Sequence, residues 1–147
     1  MSEDVTKNLF INLTDPVIFQ TYGGEEYWEK VDVPAGQVVL QEGEESTDFY
    51  YVFSGAATVV KAQKTQAGLS EHLGNLQTGD FFGEGALLSE EGRGATVTAT
   101  SDCVLLKLSK ENFDKLVLAD AQAAVGLVLG IVKVLNARLQ AANEKLA

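Results

Sequence analysis

Of the 147 residues, one is cysteine, one is histidine, two are proline and two are arginine. The lone Cys103 excludes an intrachain disulfide framework, so an apolar core must hold the fold, and Cys103 reads as a small buried hydrophobe within it. A single imidazole, His72, removes the histidine clusters that metal-dependent barrel enzymes need. With no second cysteine or sequence-adjacent histidine, Cys103 builds no nucleophile assembly. The chain is therefore expected to be a non-enzyme with no metal and no cofactor. Positive charge is scarce too. Lysine and arginine number 11 against 21 aspartates and glutamates, a formal net charge of -10 that repels polyanions and argues against nucleic-acid binding. The Met1-Ser2-Glu3-Asp4 start lacks the positive, apolar character of a secretory signal. The longest apolar stretch, around Val125 to Leu135, is broken by Gly126, Gly130 and Lys133 and falls short of the roughly 20 residues of a membrane span. These absences predict a cytoplasmic chain that engages no membrane.

What is present has three textures within one domain. Residues 1–30 read as an N-terminal helical segment, with Asp15-Pro16 as an N-cap and first-turn pair and Gly23-Gly24 as a break. Residues 31–108 are β-rich, with runs at Val38 to Leu40, Phe49 to Phe53, Ala57 to Lys61, Val97 to Ala99 and Val104 to Leu108. Turn signals at Pro34-Ala35-Gly36, Gly43, Ser54-Gly55, Gly74-Asn75 and Thr78-Gly79-Asp80 separate them, and Lys61 to Glu71 reads as an exposed polar hairpin loop. Residues 109–147 are helical, opened by Ser109 as N-cap and free of proline. The fold class is mainly β with flanking helices: an antiparallel β-roll or jelly-roll barrel.

The chemistry concentrates between Gly79 and Thr96. Gly83 and Gly85 permit close backbone approach, and Ala86-Leu87-Leu88 can form a helical turn whose free N–H groups face an anion. Arg93 stands out in so acidic a chain, because its planar fork can grip two phosphate oxygens at once. Glu84, an acceptor-only carboxylate, is repelled by phosphate and suited to a sugar hydroxyl. Together they describe a ribose phosphate. Taken singly, Arg93 beside Glu90 and Glu91 also fits a surface ion pair, worth at most about 1 kcal/mol.

The order Phe82-Gly83-Glu84, a small pair, Leu87-Leu88, an acidic spacer, then Arg93-Gly94-Ala95-Thr96 resembles the phosphate-binding cassette of cyclic-nucleotide-binding domains. That family includes regulatory subunits of cAMP-dependent protein kinase, cyclic-nucleotide-gated channels and catabolite-activator-type regulators. The resemblance extends to Pro34-Ala35-Gly36, Gln41-Glu42-Gly43-Glu44 and Asp48 to Gly55. It implies a cassette helix inside the barrel and ligand contacts at Gly83, Glu84, Gly85, Ala86, Arg93, Gly94 and Ala95. Arg93 would pair with the phosphate, Glu84 with the ribose 2′-hydroxyl, and the backbone amides of Gly83, Gly85 and Ala86 would line the phosphate pocket. The implied ligand is a cyclic purine monophosphate, cAMP first, because Gly94 lacks the hydroxyl that favours cGMP in related domains. Gly85, Gly92 and Gly94 depart from the residues usual at those places.

After the barrel, Val125, Val128, Val132, Leu135 and Leu139 follow alternating three- and four-residue steps, with Leu127, Ile131 and Val134 as an adjoining stripe. One stripe suits the barrel. The other suits a second copy or a partner helix. The reading is thus a sensory module whose flanking helices respond to a nucleotide. Its alternative is a degenerate fold that binds no nucleotide and serves as a dimerisation or scaffold protein.

Overall fold

The computed structural model describes residues 23–62, 70–85 and 92–146, and the expected short helices before Gly23 and the turn at Ala86-Leu87-Leu88 lie outside them. A short 3-10 turn, Gly24–Glu26, leads into eight strands among the described residues. They are β1 (Trp28–Val33), β2 (Val38–Leu40), β3 (Asp48–Ser54), β4 (Ala56–Ala62), β5 (Ser70–Gln77), β6 (Phe81–Phe82), β7 (Thr96–Ala99) and β8 (Cys103–Ser109). Two helices follow, α1 (Lys110–Ala119) and α2 (Ala121–Leu146). The strands form two four-stranded antiparallel sheets, ordered β1-β8-β3-β6 and β2-β7-β4-β5.

The side-chain period of two explains why β3 is a nearly continuous apolar run. Phe49 and Tyr51 point outward onto the helices, in a cluster with Trp28, Phe81, Leu108, Leu116 and Leu127, while Tyr50 and Val52 point inward with Phe82, Leu40, Val97 and Leu105. Both faces of this strand are buried, so no polar residue interrupts it.

Two strand boundaries differ from the sequence reading. β1 starts at Trp28, before the β texture becomes visible at Val31, because Glu29 and Lys30 hide a strand that Trp28 anchors by pairing with Leu108. Gly74-Asn75 is no turn. Both residues sit inside β5, opposite Val59 and Thr58, and the glycine adjoins a bulge at which Leu73 is skipped in the register. Lys61, the end of the expected run from Ala57, pairs with Glu71, so the two ends of the expected hairpin loop belong to the strands.

Ser109 caps α1, its hydroxyl accepting from the Asn112 amide at 3.1 Å. Asp120 divides the helical segment: its amide donates to the Leu116 carbonyl, and its carboxylate accepts from the Ala123 amide at 3.1 Å. The apolar run around Val125 proves to be part of a longer helix, and Ala121–Glu144 is by length and composition sufficient to cross a bilayer. Its inner face, however, packs on the β1-β8-β3-β6 sheet through Ala123, Ala124, Leu127 and Ile131. Val125, Val132 and Leu139 face outward, while Val128 and Leu135 lie at the margin of the core.

Candidate functional site

Arg93 is 7% exposed, so the surface ion-pair reading does not describe it. Its backbone is clamped to the turn after β2: the Arg93 amide donates to the Glu44 carbonyl, and the Gly43 amide to the Arg93 carbonyl, each at 2.8 Å. Its guanidinium is fixed from three sides. Nε–H donates to Ser46 Oγ at 2.8 Å, Nη1 to the Gly83 carbonyl at 3.2 Å, and Nη2 to the Asp48 carbonyl. A guanidinium has five N–H groups, and the bonds to described residues use three of them, one from each nitrogen. Burial pushes the group below its ordinary value, opposed by Tyr50, Asp48, Glu44 and Glu84, yet arginine starts so high that it stays charged.

Gly83 makes this arrangement possible. Its φ of 78° is a left-handed conformation, and a Cβ there would lie 2.9 Å from Arg93 Nη1 and 3.0 Å from the Asp48 carbonyl oxygen. Gly85 and Gly94 are different, since a Cβ at either would meet open space. Their substitution for larger residues is a tolerated choice rather than a steric need.

Glu84 follows at once, and Arg138 of α2 approaches it with Nη1 at 4.0 Å from Oε1. Arg138 also donates from Nη2 to the Phe81 carbonyl at 3.0 Å and lies over the Phe81 ring, 5.3 Å from its centroid. The long helix is thereby tied to the strand that presents Glu84.

Between these groups and the inward face of β4 and β5 opens a cavity of about 480 Å³. Gly83, Glu84, Gly85, Arg93, Gly94 and Ala95 all line it; Ala86 lies outside the described residues. Opposite them stand Val59, Lys61, Leu73 and Leu76, with Arg138 at the helical side. A cavity with one anion-gripping end, one hydroxyl acceptor and a largely apolar remainder bearing Lys61 and Arg138 has chemistry that suits a mononucleotide. Sequence reasoning missed Ser46, Lys61 and Arg138. Arg138 carried a signal, being the only arginine besides Arg93. Ser46 carried none.

The profile described as cyclic nucleotide-binding domain matches residues 30–120 of this chain. A cAMP-dependent protein kinase regulatory subunit of Eremothecium gossypii is 41% identical over 91 residues, which are 62% of this chain and 18% of that protein. The corresponding subunit of Yarrowia lipolytica is 42% identical over 84 residues, 57% of this chain and 21% of that one. The chain thus spans about a fifth of the length of these relatives. Among solved structures, Thermus thermophilus catabolite activator protein superposes with a TM-score of 0.72 at 27% identity, covering 94% of this chain and 61% of that one. Cyclic-AMP-bound PfPKA-R does so with a TM-score of 0.60 at 25% identity, covering 79% and 43%.

Proposed function

Because the chain belongs to the cyclic nucleotide-binding domain family, we propose that it is a non-enzymatic sensor of a 3′,5′-cyclic purine mononucleotide, cAMP among them, with no further cofactor. The observation that carries this reading is the buried Arg93, pinned by three bonds and lining the cavity beside Glu84. The phosphate seats on the Arg93 fork and on the backbone of Gly83, Gly85, Ala86, Gly94 and Ala95, and the ribose 2′-hydroxyl donates to Glu84. Since Arg138 reaches the same carboxylate, occupancy of the ribose site is felt by α2, which is the part that moves. The outward stripe of Val125, Val132 and Leu139, flanked by Val128 and Leu135, offers that helix to a second copy or a partner.

Calorimetry with cAMP tests the assignment. The wild-type chain binds at micromolar concentration or below, and Arg93→Ala loses at least about 2 kcal/mol, roughly thirtyfold. Arg93→Lys recovers only part, because an ammonium lacks the fork. Glu84→Gln and 2′-deoxy-cAMP each lose less, and their losses overlap rather than add. Equal binding by wild type and a folded Arg93→Ala overturns the phosphate assignment; no binding by wild type leaves the scaffold reading.

A further inference from the structure

The end of the cavity away from Arg93 is built by β4 and β5, and its composition is unusual for a base slot. Along β4 the inward positions are Ala57, Val59 and Lys61; Ala57 is buried in the core between the sheets, and Val59 and Lys61 line the cavity. Across the ladder Val59 faces Gly74, where a Cβ would meet open space, so the wall is hollow at that level. The bulge beside Gly74 brings Leu73 to the rim, half exposed at 51%. This part of the cavity is thus lined by the apolar Val59, Leu73 and Leu76 together with one lysine, Lys61.

We infer that Lys61 reads the base edge, and that it favours a 6-oxopurine over a 6-aminopurine. This rests on the ligand reading above. With phosphate and ribose held at Arg93 and Glu84, the base is the part left to fill the slot walled by Val59, Leu73 and Leu76. Lysine offers three N–H donors and no acceptor. A 6-oxopurine presents two adjacent acceptors on its outer edge, O6 and N7, whereas a 6-aminopurine presents N7 beside an amino donor that repels the ammonium. The preference acts in the direction opposite to the missing hydroxyl at Gly94, because it arises from a different wall of the cavity.

Calorimetry on the full chain with cAMP, cGMP and cIMP provides the test, cIMP carrying the 6-oxo group without the 2-amino group. Wild type binds cIMP and cGMP at least as tightly as cAMP. Lys61→Met weakens both 6-oxo ligands by roughly tenfold or more and leaves cAMP within about twofold. Lys61→Arg keeps the 6-oxo preference, and Lys61→Thr, a β-favouring replacement, repeats the loss should methionine disturb the strand. If folded Lys61 variants change all three affinities alike, or none, the inference is overturned while the phosphate assignment stands. Failure of wild type to bind any of the three overturns both.

Discussion

The two sheets have the same number of strands and unequal surroundings. The β1-β8-β3-β6 sheet is covered on one side by α1 and α2 and on the other by its partner, so Phe49, Val52 and Leu108 are all fully enclosed. Among the described residues the β2-β7-β4-β5 sheet packs on its inner side, and β4 carries one buried residue, Ala57, in seven. The first sheet holds the site's fixed parts in place: β3 supplies the Asp48 carbonyl to Arg93, and β6 runs directly into Gly83 and Glu84. The second supplies the wall of Val59, Lys61, Leu73 and Leu76 across the cavity. On the ligand reading proposed above, the rigid sheet holds the anion, whose geometry does not vary, and the other wall faces the base.

The sharpest way to break this comparison is to truncate one residue on each sheet. Phe49→Ala removes a ring packed at 5.9 Å from Trp28 and 5.5 Å from Phe81, measured between centroids. It costs about 3–5 kcal/mol in denaturant unfolding, whereas Val59→Ala costs about 1 kcal/mol. Similar losses at the two positions would show that the second sheet is as tightly held as the first. A smaller effect comes from Tyr50, which stacks on Phe82 at 5.0 Å in the core between the sheets. Burial, reinforced by Asp48 and opposed by Arg93, raises its hydroxyl to about 12 from 10.0. The neutral phenol is the form the fold prefers. Its contribution, about 2 kcal/mol, is therefore complete below pH 10 and lost as pH rises from about 10 to about 12. Tyr50→Phe flattens that part of the wild-type stability profile, and ultraviolet titration of tyrosinate locates the raised group. A Tyr50→Phe profile falling in parallel with wild type would assign the alkaline loss elsewhere.

How far these features were legible in the sequence depends on whether their cause is local. β3, β7 and β8 announced themselves because apolar runs bounded by turn residues need no partner to be recognised, and the Ser109 cap is set by its own neighbours. Arg93, Glu84 and Gly83 were visible as candidates because residue types that suit a phosphate and a sugar hydroxyl stand there closely spaced, in the order of the cassette they resemble. β5 was not, since Gly74 and Asn75 carry turn signals that only pairing with β4 overrides. Ser46, 47 residues from Arg93, and the Arg138 contact with the Phe81 carbonyl, 57 residues apart, depend on how the sheets and α2 fold together. No window of sequence contains them.

The same Arg138 contacts separate the two halves of α2, and they yield the smallest expected effect. From Ala123 to Ile131 the helix is fastened by apolar burial; beyond Val132 the partly buried Val134 and Leu135 and the contacts of Arg138 are among its attachments. The Arg138 side chain is 40% exposed, so its pairing with Glu84 is screened and adds little by itself. Its bond to the Phe81 carbonyl and its place over the ring add a modest amount more. Arg138→Ala therefore lowers global stability by at most about 1 kcal/mol. Hydrogen exchange reports the change more sharply than global unfolding does. Amides after Val132 exchange faster in Arg138→Ala, those from Ala123 to Ile131 do not, and the difference shrinks at high salt as the Glu84 pairing is screened in the wild type. Unchanged exchange after Val132 would mean that other contacts hold that half of the helix, and that Arg138 does not link it to the cavity.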